Sequence, residues 1–157
     1  MVINKSVRRE ALLIRDGIEC VFPPDAKENP LSNIPVILCV DDEPTGLTAR
    51  RLLLSIAGHT VLAATSGHAA LQLFRCNHVD VVITDHLLPD FTGAELVSEM
   101  KRLKPEVPIV LLTGLVDLPP GYEMVDLVLT KGITPPQFLS EIAKLVAKAP
   151  IDKPETA

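Results

Sequence analysis

From Ile34 onward the chain alternates short apolar runs with stretches in which apolar residues recur every three or four positions. The runs 35–40, 60–64, 79–84, 107–112 and 125–130 are rich in Val, Ile and Leu, and each reads as a strand. The stretches between them carry the helical period. Thr45 to Ala57 reads as the first helix, with Gly58 placed to end it. Ser66 can cap a second helix that buries Ala70, Leu73 and Phe74. Thr92-Gly93-Ala94-Glu95 has the form of a capping box, opening a helix with Leu96, Met100 and Leu103 on one face. Thr134-Pro135-Pro136-Gln137 repeats the box with proline at the first helical position, and the helix it opens would bury Phe138, Ile142, Leu145 and Val146. Between the fourth and fifth strands the period fails. Asp117-Leu118-Pro119-Pro120-Gly121 breaks it and leaves at most a turn or two around Tyr122 to Met124. Alternation of this kind predicts an α/β domain built on a parallel sheet.

Residues 1–33 differ in character from the rest of the chain. They carry five basic and five acidic residues, and Pro23-Pro24-Asp25 with Asn29-Pro30 marks turns or extended linker. Val7, Ala11, Ile14 and Ile18 fall at helical spacing, so this extension is expected to be partly helical or disordered. Docking on the domain, homodimerisation and disorder all remain open for it. The domain proper is expected over 34–149, with 150–157 a disordered tail.

Bulk composition narrows the function. The chain has 157 residues, 47% of them apolar, with no Trp, so aliphatic residues must build the core. The net charge of −5 and the lack of a Lys/Arg cluster argue against direct nucleic-acid binding. No run is long enough to span a membrane, and the N-terminus, with Lys5, Arg8, Arg9, Glu10 and Arg15, lacks the apolar stretch of a secretory signal. Cys20, Cys39 and Cys76 show no CxxC spacing, and a reducing cytosol fits better than a disulfide scaffold or a zinc site. A cytoplasmic protein without a membrane anchor is expected.

Three of the apolar runs end in chemistry. Val36–Val40 leads into Asp41-Asp42-Glu43, the run ending at Thr84 leads into Asp85, and the run ending at Thr130 leads into Lys131. In an open parallel sheet, ligands bind beyond the carboxyl ends of the strands, so these carboxylates and the lysine would converge. Carboxylates together with a lysine suit a divalent metal and a phosphoryl group. Each has a plainer reading alone: the acids as helix caps, Lys131 as a solvated loop residue, Thr113 as a strand-end hydroxyl. Their arrangement in order along successive strand ends favours one site.

The ordered pattern, with the local string Asp85-His86-Leu87-Leu88-Pro89-Asp90-Phe91-Thr92-Gly93, resembles the CheY-like receiver domain of two-component response regulators over about Ile34 to Lys148. The resemblance implies a doubly wound five-stranded parallel sheet of flavodoxin/CheY type, order 2-1-3-4-5, here with a shortened or broken fourth helix. It implies that Asp85 accepts a phosphoryl group from a sensor histidine kinase or histidine phosphotransfer protein. Mg²⁺ would be held by Asp42, Asp85 and the backbone carbonyl of Leu87, with Asp41 orienting a metal-bound water. Lys131 and Thr113 would contact phosphoryl oxygens, and Thr113 with position 128 would form the switch. The chain would not be an enzyme beyond Mg²⁺-dependent self-phosphorylation and slow autodephosphorylation. With about eight residues after the last helix, it would be a stand-alone regulator that signals to an unidentified protein by contact.

Four departures from the family pattern matter. Gly132 stands where a proline usually follows the lysine; a cis non-proline bond costs about 3 kcal/mol, so a trans loop is expected. Val128 stands where the family carries its aromatic switch residue. The stretch between Thr113 and Lys131 is short and proline-broken. Leu87 and Leu115 flank the route of the hydrolytic water and should exclude it. The first three departures favour an alternative, a degenerate receiver acting as a phosphorylation-independent adaptor. A haloacid-dehalogenase-type phosphatase would want an Asp at Leu87, and a flavin carrier would want a Ser/Thr/Gly-rich loop in place of Asp41-Asp42-Glu43. Elsewhere, His86 reads as an exposed loop residue, Arg50-Arg51 as a solvated helix face, Cys39 as core and Cys76 as an exposed, oxidisable thiol.

Overall fold

The computed structural model describes residues 34–148 together with two short strands before them, Leu13–Arg15 (β1) and Ile18–Cys20 (β2). The strands of the main sheet are Val36–Val40 (β3), Thr60–Ala64 (β4), Val81–Asp85 (β5), Ile109–Thr113 (β6) and Leu127–Thr130 (β7). The helices are Pro44–Ile56 (α1), Gly67–Cys76 (α2), Gly93–Leu103 (α3) and Pro135–Lys148 (α4). The sheet has order β4-β3-β5-β6-β7 and is parallel throughout, which is the expected 2-1-3-4-5 winding counted from β3.

Every residue of β3, β5 and β6 is buried, as required of central strands covered on both faces. Alternation then sorts their side chains. Val36, Leu38 and Val40 join Phe74, Leu96 and Met100 under α2 and α3. Ile37 and Cys39 join Leu47, Leu54, Phe138 and Ile142 under α1 and α4. Full burial of each such aliphatic side chain is worth roughly 1.5–3 kcal/mol. Burial also pushes the Cys39 thiol up to about 12, which makes it an inert core residue.

The caps mostly behave as read. Ser66 Oγ accepts from the Ala69 amide, and Thr92 with Glu95 forms the complete capping box. At α4 the Thr134 hydroxyl accepts from the Gln137 amide at 3.4 Å. Glu43 caps α1, taking the amides of Thr45 and Gly46; the Gly46 amide above all holds its carboxyl below the usual range. Among the described residues there is no helix between β6 and β7. Pro119-Pro120 is followed by Gly121 at φ +105°, and Tyr122 turns inward to be buried.

Two expectations are corrected. Leu13–Arg15 and Ile18–Cys20 pair as an antiparallel hairpin where a short helix was expected. The intervening Asp16-Gly17 is a dipeptide that favours two-residue hairpin turns and outweighs the helical spacing of Ile14 and Ile18. The rest of 1–33 and the tail 150–157 lie outside the described residues. Cys76, expected as an exposed free thiol, is buried and disulfide-bonded. It ends α2, against which β2 lies; such a contact is made by the tertiary fold and leaves no local spacing signal.

Candidate functional site

β3, β5, β6 and β7 end side by side, and the residues at or just beyond their carboxyl ends form the site. Asp41 and Asp42 follow β3, Asp85 ends β5, Thr113 ends β6, and Lys131 follows β7. Carboxylate oxygens from Asp41, Asp42 and Asp85 lie within 4.8 Å of one another, with Asp42 exposed and the other two buried. An oxygen-only set of this kind suits a hard divalent cation. Lys131 Nζ donates to Asp85 Oδ2 at 2.9 Å. Of the residues read from the sequence, these four come together.

Thr113 is fully buried, and its Oγ1 accepts from the Leu115 amide at 3.0 Å. The Lys131 amide donates to the Thr113 carbonyl at 2.9 Å, which ties the lysine loop to the end of β6. Gly132 follows without a cis peptide bond, and none occurs among the described residues. Val128 sits on the edge strand and is 41% exposed. Leu87, two residues after Asp85, and Leu115, two after Thr113, are 63% and 41% exposed. Leu87 is bridged to Thr92 across the loop that follows β5.

The structure also assigns places that the sequence reading missed. Arg50 is not on a solvated face: its guanidinium pairs with Asp41, which is only 2% exposed. A buried carboxylate beside two others needs such a counter-charge. Asp41 Oδ1 also accepts from the Glu43 amide at 2.9 Å. His86 is not an exposed loop residue either. Its side chain is 14% exposed and lies against Asp85. Its amide donates to Asp85 Oδ1 at 2.7 Å, and its ring Nδ1 lies 3.2 Å from that oxygen and 3.4 Å from Thr113 Oγ1. The His86 carbonyl accepts from the Gly93 amide at 2.9 Å and the Tyr122 hydroxyl at 3.2 Å. Burial lifts the Tyr122 phenol above its ordinary range. Asp90 closes the far end of the loop, accepting from the amides of Gly67 and His68 at the start of α2. Burial opposes its ionisation, but those amides and the His68 ring outweigh it and bring the carboxyl down to about 2.

Comparison with known proteins agrees with this fold. The response regulator receiver domain profile matches residues 37–147. A receiver domain from Clostridium thermocellum superposes with a TM-score of 0.68 at 33% identity, covering 73% of this chain and 96% of that one. The response regulator TrrA from Thermotoga maritima, solved in complex with Mg(2+)-BeF, superposes at 0.66 with 28% identity, covering 71% and 99%. Among curated proteins, the Autoinducer 1 sensor kinase/phosphatase LuxN of Vibrio campbellii is 34% identical over 80 residues, which are 51% of this chain and 9% of that protein. The transcriptional regulatory protein GlrR of Escherichia coli is 32% identical over 83 residues, 53% of this chain and 19% of that protein. The match thus spans only a minor part of these longer relatives. With the fold and a profile match over residues 37–147, this chain belongs to the response regulator receiver domain family.

Proposed function

We propose that this chain is a phosphorylation-dependent receiver, with Asp85 as the phosphoacceptor. The observation that carries the reading is the pairing of Lys131 with Asp85 at 2.9 Å, with Asp41 and Asp42 gathered beside Asp85 within 4.8 Å. In the transfer, an Asp85 carboxylate oxygen bonds to phosphorus as the P–N bond of a donor phosphohistidine breaks. The bonding pair leaves with the imidazole nitrogen, and an acyl phosphate remains on Asp85. The chemistry needs little beyond alignment and neutralisation of the phosphoryl oxygens.

The donor set fits Mg²⁺, which Asp42, Asp85 and the Leu87 backbone carbonyl would hold, with Asp41 behind them orienting a bound water. Bound there, Mg²⁺ supplies neutralising charge to the phosphoryl oxygens. Lys131 moves from its resting partner on Asp85 to a phosphoryl oxygen, and the Thr113 hydroxyl donates to another. Leu87 and Leu115 hinder the hydrolytic water, so the acyl phosphate is long-lived. The chain is phosphorylated and dephosphorylated on its own aspartate and releases no other product. Its donor is a sensor histidine kinase or phosphotransfer protein, and its output a contact with another protein. Among the described residues no helix is long and apolar enough to cross a membrane.

A second reading, a phosphorylation-independent adaptor, is favoured by Val128 at the switch position and by the absence of a helix between β6 and β7 among the described residues. Incubation with Mg²⁺ and acetyl phosphate, followed by intact mass, separates the two. One phosphoryl group on wild type and none on Asp85→Asn supports the receiver. No addition, with no binding of beryllofluoride either, moves the assignment to the adaptor.

A further inference from the structure

We infer that His86 is a latch that holds Thr113 and Asp85 in their resting positions and must swing away before a phosphoryl group can be accommodated. This rests on Asp85 being the phosphoacceptor, as proposed above. It assigns a role to a residue that the strand-end pattern does not include.

The geometry is that of a fixed backbone with one free side chain. The His86 amide is committed to Asp85 Oδ1 at 2.7 Å. Its carbonyl takes the Gly93 amide at 2.9 Å and the Tyr122 hydroxyl at 3.2 Å. The main chain at this position is therefore pinned on both sides. The ring, in contrast, makes two longer contacts, 3.2 Å to Asp85 and 3.4 Å to Thr113, and keeps 14% of its surface open to solvent. A carboxylate only accepts, so Nδ1 carries the hydrogen in this arrangement, shared between Asp85 Oδ1 and the Thr113 hydroxyl oxygen. Thr113 Oγ1 already takes the Leu115 amide.

These partners conflict with a phosphorylated site. A phosphoryl group on Asp85 needs the Thr113 hydroxyl as a donor; accepting from Leu115 and His86 leaves its hydrogen free but holds the oxygen toward those two donors. The ring also stands between the two residues that a phosphoryl group would bridge. Rotation about the His86 side-chain torsions ends its own contact with Thr113 and opens that space without disturbing the pinned backbone. With Val128 at the switch position, this imidazole is the ring that responds to the site, and it does so from the loop after β5. His86 is thus a positioning residue acting through Thr113 and Asp85.

Removing the ring should make the phosphorylated-like state easier to reach. The test is titration of Mg²⁺ and beryllofluoride into wild type, His86→Leu, His86→Ala and His86→Asn, with the bound fraction read by fluorine NMR. Leu and Ala remove the donor; Asn keeps one at nearly the position of Nδ1. Loss of one or two resting hydrogen bonds predicts about three- to tenfold tighter binding in the Leu and Ala variants, with Asn close to wild type. A residue serving only the packing of the loop would give weaker binding in all three. Wild type that binds while Leu and Ala bind no better overturns the latch and leaves the receiver reading intact. Failure of all four proteins to bind overturns both. Thermal unfolding without ligand confirms that each variant is folded before its affinity is compared.

Discussion

Gly93→Ala is the substitution in which packing and function meet most directly. Gly93 opens α3 against the loop that follows Asp85. A methyl group there would sit 2.8 Å from His86 Cα, 2.9 Å from the Asp85 carbonyl oxygen and 2.9 Å from the Tyr122 hydroxyl. Two of these are main-chain atoms, so no side chain can rotate aside to make room. Either α3 moves out or the Asp85–His86 backbone shifts. Overpacking of this kind costs typically about 1–3 kcal/mol, and the better helix propensity of Ala returns at most about 1 kcal/mol. The net loss should be about 1–2 kcal/mol. With a urea slope of ~1–3 kcal/mol per molar, the unfolding midpoint should fall by roughly half to one molar. Gly114→Ala and Gly132→Ala are the controls, since an added carbon at either meets nothing within 4 Å; their midpoints should stay close to wild type. The acetyl phosphate reaction should slow more in Gly93→Ala than in either control, because the shifted backbone carries Asp85. A Gly93→Ala midpoint equal to that of Gly114→Ala, with an unchanged phosphorylation rate, would refute the argument.

Three further outcomes are expected. Asp42→Asn removes one of three mutually repelling carboxylates within 4.8 Å, so the metal-free melting temperature should rise while the gain on adding Mg²⁺ disappears. In wild type, Mg²⁺ at ten times its Kd should add about 1.4 kcal/mol, or roughly 4–8 °C by calorimetry, and an equal gain in the variant would contradict the ligand assignment. Asp90→Ala should cost about 1 kcal/mol at neutral pH through loss of its hold on the first amides of α2. Because the folded carboxyl titrates at about 2 against an ordinary 3.8, that contribution is complete above the higher value and lost as pH falls through the lower. Urea midpoints of wild type and variant should converge across this window; a gap that stays constant down to pH 2 would exclude the linkage. Leu87→Asn introduces a group that can hold a water, and the acyl phosphate lifetime, followed by intact mass, should shorten about tenfold, equivalent to ~1.4 kcal/mol of barrier. An unchanged lifetime would show that the leucine does not limit water.

What was legible in the sequence is what a strand or helix repeats locally. The unbroken apolar runs at β3, β5 and β6 required a sheet covered on both faces, and the structure puts alternate residues of β3 into separate cores. The polar residues after those runs had to fall at one sheet edge, and Asp41, Asp42, Asp85 and Lys131 meet there. What was not legible depends on approach between elements. Arg50 looks like any charged residue on an amphipathic helix until α1 is laid beside β3 and brings it to Asp41. Cys76 carries no spacing signal because its disulfide is made by tertiary proximity. His86 was misread for a subtler reason. A polar residue in the loop after a strand carries no periodic signal and reads as exposed. β5 ends at Asp85 and the chain bends at His86, where alternation no longer governs direction. The bend is held by hydrogen bonds from Gly93 and Tyr122, contributed from positions well downstream in the chain. Those two donors turn the imidazole back toward the carboxylate, so the direction of this one side chain is a tertiary property, and so is any control it exerts over Thr113.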